Sequence, residues 1–156
     1  MARNALSGNT ATGNDNRGGG VYGTTGTVQQ NTFTGNSASQ GGAIYIYQGT
    51  AASNTILTNT TTMTGTLYVD QGTATLNILQ GNTALSGGGL YGYKATFTGN
   101  TVQNNNANIG GGIYASQSTV RGNTVMNNTA QSDGGGLYAD QGTVTYNSLS
   151  YNTAPS

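Results

Sequence analysis

The chain contains no histidine, no cysteine, no tryptophan and no glutamate, and only eight of its 156 residues are charged, four basic and four acidic. Ordinary domains are roughly 25% charged. Without His or Cys, zinc, haem and iron–sulfur centres lack their usual ligands, and imidazole acid–base catalysis and disulfide support are excluded. With a net charge of zero, no basic excess exists to attract nucleic acid or an anionic membrane. No run approaches the ~18 apolar residues of a membrane span. The opening Met1-Ala2-Arg3-Asn4-Ala5-Leu6-Ser7 lacks the apolar stretch of a secretory signal, so no leader is visible. Leu, Ile, Val and Phe together number only 24. Either the chain is low in complexity and unfolded, or its fold needs little core per residue.

What is abundant decides between these. Gly (27), Thr (27) and Asn (20) recur with a strict period. Repeat units start at Gly18, Gly41, Thr64, Gly87, Gly110 and Gly134, spaced 23 residues apart except for one interval of 24. The coils are therefore 18–40, 41–63, 64–86, 87–109, 110–133 and 134–156, within a single domain. Residues 1–17 are the back half of a seventh unit, with a turn about four residues longer at Gly13–Arg17. The extra residue of the fifth full coil falls near Ser132-Asp133. Periodicity of this kind marks a repeat architecture, not disorder.

Aligned by place in the unit, the columns become legible. The fifth place is always Tyr (Tyr22, Tyr45, Tyr68, Tyr91, Tyr114, Tyr138) and the tenth always Thr (Thr27, Thr50, Thr73, Thr96, Thr119, Thr143). The fourteenth is always Asn (Asn4, Asn31, Asn54, Asn77, Asn100, Asn123, Asn147), as is the nineteenth (Asn9, Asn36, Asn59, Asn82, Asn105, Asn128, Asn152). The fourth is aliphatic, and so is the sixteenth apart from Phe33. Within units, segments such as Gly-Gly-Gly-Leu-Tyr and Thr-Val-Thr-Tyr alternate with a period of two and are rich in β-branched residues, which are strand signals.

Two or three short strands per 23 residues cannot bury a face alone, but stacked coils bury one continuous apolar column. The predicted fold is an all-β, single-stranded parallel β-solenoid of about six and a half coils, with counterparts one above the other at roughly 4.8 Å. Corner asparagines are expected to form ladders of stacked amides and to take the left-handed conformation that a sharp corner needs. The opening glycines supply a positive-φ bend or a close backbone approach. With the fourth place inward, the tyrosine column points outward and stacks ring on ring.

Gly-Gly-Ala-Ile-Tyr at 41–45 and Phe-Thr-Gly-Asn at 33–36 resemble repeats of the polymorphic outer-membrane proteins, and more widely the passengers of autotransporters and other parallel β-helix proteins with a pectate-lyase-like fold. The resemblance covers essentially the whole chain. It implies a right-handed coil and an extracellular or cell-surface location, while that fold hosts adhesins, tailspikes and polysaccharide enzymes alike. Thr64-Gly65-Thr66 departs from the glycine triplet, and Leu79 stands where those families often have Phe.

Candidate chemistry is thin. Asp70 and Asp140 share the seventh place but lie three coils apart, about 14 Å at strand spacing, beyond the roughly 5–9.5 Å of paired catalytic carboxylates. Asp133 with Asp140 offers too few oxygens for the six to eight that calcium takes. The chain therefore reads as non-enzymatic, with no cofactor and no metal. Thr-x-Thr at 73–75, 96–98 and 143–145 resembles the surface of ice-binding solenoids, although Gln29, Ala52 and Arg121 interrupt the second row. The leading expectation is a structural protein whose copies stack head to tail into an extracellular filament, because no polar capping unit closes either end. The alternative is an adhesin-type module presenting its Tyr and Thr faces to a glycan or cell surface.

Overall fold

The computed structural model describes residues 1–13 and 15–155; the part of the long turn at Asn14, and Ser156, lie outside the described residues. The chain is a parallel β-solenoid with three faces. Val21–Gly23, Ile44–Tyr47, Leu67–Asp70, Leu90–Tyr93, Ile113–Ser116 and Leu137–Asp140 form the tyrosine face. Thr27–Gln29, Thr50–Ala52, Thr73–Thr75, Thr96–Thr98, Thr119–Arg121 and Thr143–Thr145 form the threonine face. The third face has seven strands, from Ala5–Ser7 and Thr32–Thr34 up to Ser148–Ser150. Every pairing is parallel, and the three faces are in register: Tyr68 lies between Tyr45 and Tyr91, and Thr73 between Thr50 and Thr96. Short extra pairs, Ser37–Gln40 with Thr60–Thr64 and Asn106–Ala107 with Thr129–Ala130, add a fourth strand to some coils.

Strands of three or four residues suffice because each contributes only one or two inward side chains. In Thr96-Phe97-Thr98, Phe97 is buried between two exposed threonines, the alternation that a one-sided strand requires. The core is a single column from Val28 and Phe33 at one end to Val120 and Val125 near the other. Places six and eleven face each other inside a coil and exchange volume: Ile46 and Val69 accompany Ala51 and Ala74, whereas Gly92 accompanies Phe97. A Cβ at Gly92 would lie 2.3 Å from the Phe97 ring.

The corners differ from the expectation in one respect. The ladder asparagines do not carry the left-handed conformation; the residue before each corner does. Gln30, Ser53, Leu76 and Tyr146 precede the fourteenth place, and Thr58, Asn104, Asn127 and Tyr151 the nineteenth, all with φ between 52° and 56°. The cause is positional. The left-handed residue turns the chain, and the next one, back in a strand-like conformation, aims its side chain inward. Placing both tasks on asparagine would turn its amide away from the ladder. The expected positive φ of the opening glycines holds at the first of the triplet: at Gly41 (φ 61°) a Cβ would lie 2.4 Å from the Ile44 carbonyl oxygen.

The passage from the coil 41–63 into Thr64-Gly65-Thr66 keeps the architecture but is locally irregular. Pairing with the preceding coil shifts between Ala38 and Gln40, and the Thr61 and Thr64 hydroxyls are buried with no hydrogen-bond partner among the described residues. Thr61 occupies a column otherwise made of alanine.

Volume exchange inside the coil gives a direct test. Gly92→Ala should destabilise by about 1–3 kcal/mol through overpacking against Phe97, and adding Phe97→Val should recover most of that loss. Urea denaturation of the single and double variants measures both.

Candidate functional site

Two buried polar ladders and one aromatic stack run the length of the solenoid. In the fourteenth-place ladder, the Asn54 backbone N–H and Nδ2 both donate to Asn77 Oδ1, at 2.9 and 3.0 Å. Nδ2 donates again to the Val28 carbonyl oxygen of the preceding rung at 2.9 Å. The same set repeats from Asn77 to Asn100 and from Asn100 to Asn123. The nineteenth-place ladder is built alike: Asn59 donates to Asn82 Oδ1 from N at 2.8 Å and from Nδ2 at 3.1 Å, and reaches the Phe33 carbonyl at 3.1 Å. Interior members are buried, while Asn4 and Asn9 at one end are exposed and Asn147 and Asn152 at the other are half-buried.

Both ladders have a direction. Each amide oxygen accepts from the rung before, and each N–H pair donates to the rung after. Among the described residues, Asn4 and Asn9 thus end with amide oxygens that accept nothing, and Asn147 and Asn152 with backbone N–H groups that donate to nothing.

The tyrosines of the fifth place stack from Tyr22 to Tyr138, with ring centroids 4.6 to 5.3 Å apart and planes within 24°. They point away from the core, but they are less displayed than an outward column suggests. Tyr45 is only 5% exposed, closed in by Tyr22, Tyr68 and the Arg17 guanidinium 5.2 Å from its ring centre. Their faces are spent on one another. Burial raises the hydroxyl pKa of Tyr45, Tyr68, Tyr91 and Tyr114 above the ordinary value, and neighbouring tyrosines push in the same direction.

The tenth-place threonines, Thr27, Thr50, Thr73, Thr96, Thr119 and Thr143, pair rung to rung as one outward row. The second row is continuous only at Thr75 and Thr98. Asp70 and Asp140 share a column on the tyrosine face, separated by Tyr93 and Ser116. Asp15, with Arg17 and Tyr22, borders a shallow open depression beside the long turn. Among the described residues, no three acidic, His or Cys side chains converge on one point.

The seventh place varies, and in the sequence only its two aspartates, Asp70 and Asp140, stand out. It puts Tyr47, Asp70 and Tyr93 side by side on successive rungs. The signal was available: on a strand, the place two beyond an outward tyrosine also points outward.

The family model for the Chlamydia polymorphic membrane protein (Chlamydia_PMP) repeat matches residues 32–47 and 119–140. Each matched segment passes through a ladder corner (Asn36 or Asn128) and ends on the tyrosine face. No curated protein and no solved structure matches the chain. The chain is a parallel β-solenoid repeat protein similar to those repeats.

Two outcomes test the ladders and the stack. Asn77→Ala leaves the two Asn54 donors and the Ala51 carbonyl unmatched in the interior, and should cost about 3 kcal/mol or more in urea denaturation. Asn9→Ala, at the exposed end, should cost about 1 kcal/mol or less. For the tyrosines the sign follows from their raised folded pKa. The neutral hydroxyl is favoured on folding, so the associated stability is complete below the unfolded value near 10 and shrinks as pH rises past it. Urea midpoints should therefore fall above about pH 10, with tyrosinate absorbance from the stacked Tyr45, Tyr68, Tyr91 and Tyr114 appearing together with unfolding.

Proposed function

We propose that this chain is a non-enzymatic, surface-associated structural solenoid whose copies add to one another end to end, in register, as a filament outside the cell. The single observation that carries this reading is the direction of the asparagine ladders. Every rung donates from its asparagine N–H groups to the rung after it and accepts at its amide oxygens from the rung before. Two copies therefore complement each other head to tail and not head to head. Such a contact is heterologous and propagates without closing.

Side chains support the same pairing. Val144 and Leu149 continue the core column and are 41% and 49% exposed. A following copy in register would set Leu6 over Leu149 and pair Ala5–Ser7 with Ser148–Ser150. Tyr146 is 82% exposed, with the Arg121 guanidinium 5.1 Å from its ring centre on one side. Arg3 occupies the same place in the unit as Tyr146, so stacking would bring a second cation onto the ring. Association between copies should be concentration-dependent. The repeat match supports the surface association, since proteins carrying that repeat are named as membrane proteins.

A second reading, a binding module displayed on a surface, is favoured by the arrangement of Tyr47, Asp70 and Tyr93. The two readings separate experimentally. Sedimentation velocity over a concentration series should show growing oligomers, and negative-stain images thin unbranched rods. Leu149→Lys, which sets a charge on the stacking edge, should leave a folded monomer, and Arg3→Ala should weaken association. A wild-type chain that stays monomeric at the highest concentrations defeats the filament reading and leaves the binding module standing.

A further inference from the structure

The seventh-place column on the tyrosine face changes character along the solenoid. Asp70 pairs in register with Tyr47 on one side and with Tyr93 on the other, and all three side chains are half-buried on the outer surface. Two rungs separate the tyrosines, about 9.6 Å at strand spacing. Subtracting the van der Waals thickness of the rings leaves a gap of about 6 Å, the width of a trimethylammonium group. The shorter Asp70 side chain belongs to the rung between them. The next acid in the column, Asp140, has Ser116 beside it in place of an aromatic.

We propose that this gap binds a quaternary ammonium group of the choline type, with Asp70 as counter-charge and Tyr47 and Tyr93 as walls. Three observations carry it. First, Tyr47 and Tyr93 belong to no aromatic stack among the described residues, whereas the fifth-place rings beside them are stacked on each other. Second, Asp70 is uncompensated. Its carboxylate accepts one long hydrogen bond, from Gln71 Nε2 at 3.3 Å, and forms no ion pair among the described residues. Third, tyrosine is where this chain already places its cations. Arg17 lies over Tyr45, Arg121 over Tyr146, and Lys94 Nζ is 4.9 Å from the Tyr93 ring centre.

Lys94 already sets an ammonium over the Tyr93 ring. A primary ammonium is compact and strongly hydrated, whereas a methylated cation gives up little hydration when it enters an aromatic cage. The external group therefore gains more from the walls than Lys94 does. The partner this surface fits is one that displays choline head groups. The site lies on a side face away from both end rungs, so it does not depend on end-to-end stacking.

The full chain titrated with choline chloride, followed by amide and tyrosine-ring NMR shifts against a sodium chloride control, tests the proposal. Saturable shifts centred on Tyr47, Asp70, Gln71 and Tyr93 are expected, with a dissociation constant on the order of millimolar. Tyr47→Leu and Tyr93→Leu, which keep apolar bulk, should each weaken binding about tenfold. Asp70→Asn should weaken it several-fold. The monomeric Leu149→Lys variant should bind like the parent, which separates failure of this site from failure of the filament reading. Absence of saturable shifts overturns the proposal, as do shifts indifferent to Asp70→Asn. So does cellobiose saturating the same residues while choline does not, which would assign the face to a neutral glycan.

Discussion

An asparagine side chain removed from water must find partners for both its oxygen and its amide hydrogens, because an unmatched group costs about 1–3 kcal/mol. Inside this solenoid the matching is possible only if the next rung carries an asparagine at the same place. Asn77 Oδ1 takes both donors of Asn54, and Asn77 in turn needs Asn100. That requirement fixes the register of every coil more tightly than the apolar column does, since Leu, Ile, Val and Phe replace one another at the sixteenth place without penalty to the pairing. The apolar residues supply the driving force for stacking, and the ladders decide which residues stack.

The same requirement explains why so few charges and so small a core are enough. Each rung satisfies its backbone through the rungs on either side, and the invariant amides do likewise, so stability accrues from neighbour to neighbour. An insertion is tolerated only where no ladder crosses it. The extra residue of the fifth full coil is absorbed around Gln131 and Ser132, whose backbone N–H groups both reach back to Asn108. Asn123 and Asn128 then meet Asn147 and Asn152 at a separation of 24 residues with ordinary geometry.

Sequence columns made the fold legible because strict repetition and strict stacking are the same fact seen twice. Tyrosine at every fifth place and asparagine at every fourteenth and nineteenth can only mean that counterparts touch. What stayed hidden were properties that no single column holds. The left-handed turn residues escaped notice because Gln30, Ser53, Leu76 and Gly99 share a backbone conformation or its place and no chemistry. The exchange of volume between Gly92 and Phe97 requires knowing which columns face each other across the coil. The burial of Tyr45 depends on Arg17, contributed by a half coil whose long turn breaks the period.

Repetition also constrains where binding specificity can reside. A side chain identical on every rung is consumed by its copies: the ladder amides by each other, the fifth-place rings by their stack. Selective recognition then falls to places that vary while pointing outward. The seventh place is one, and there Tyr47, Asp70 and Tyr93 form a combination found on no other three successive rungs of the column. The corner places before each asparagine are another, and Tyr146 and Tyr151 occupy two of them as exposed residues. In a protein whose order comes from sameness, the departures on the outer surface are the positions free to meet a partner.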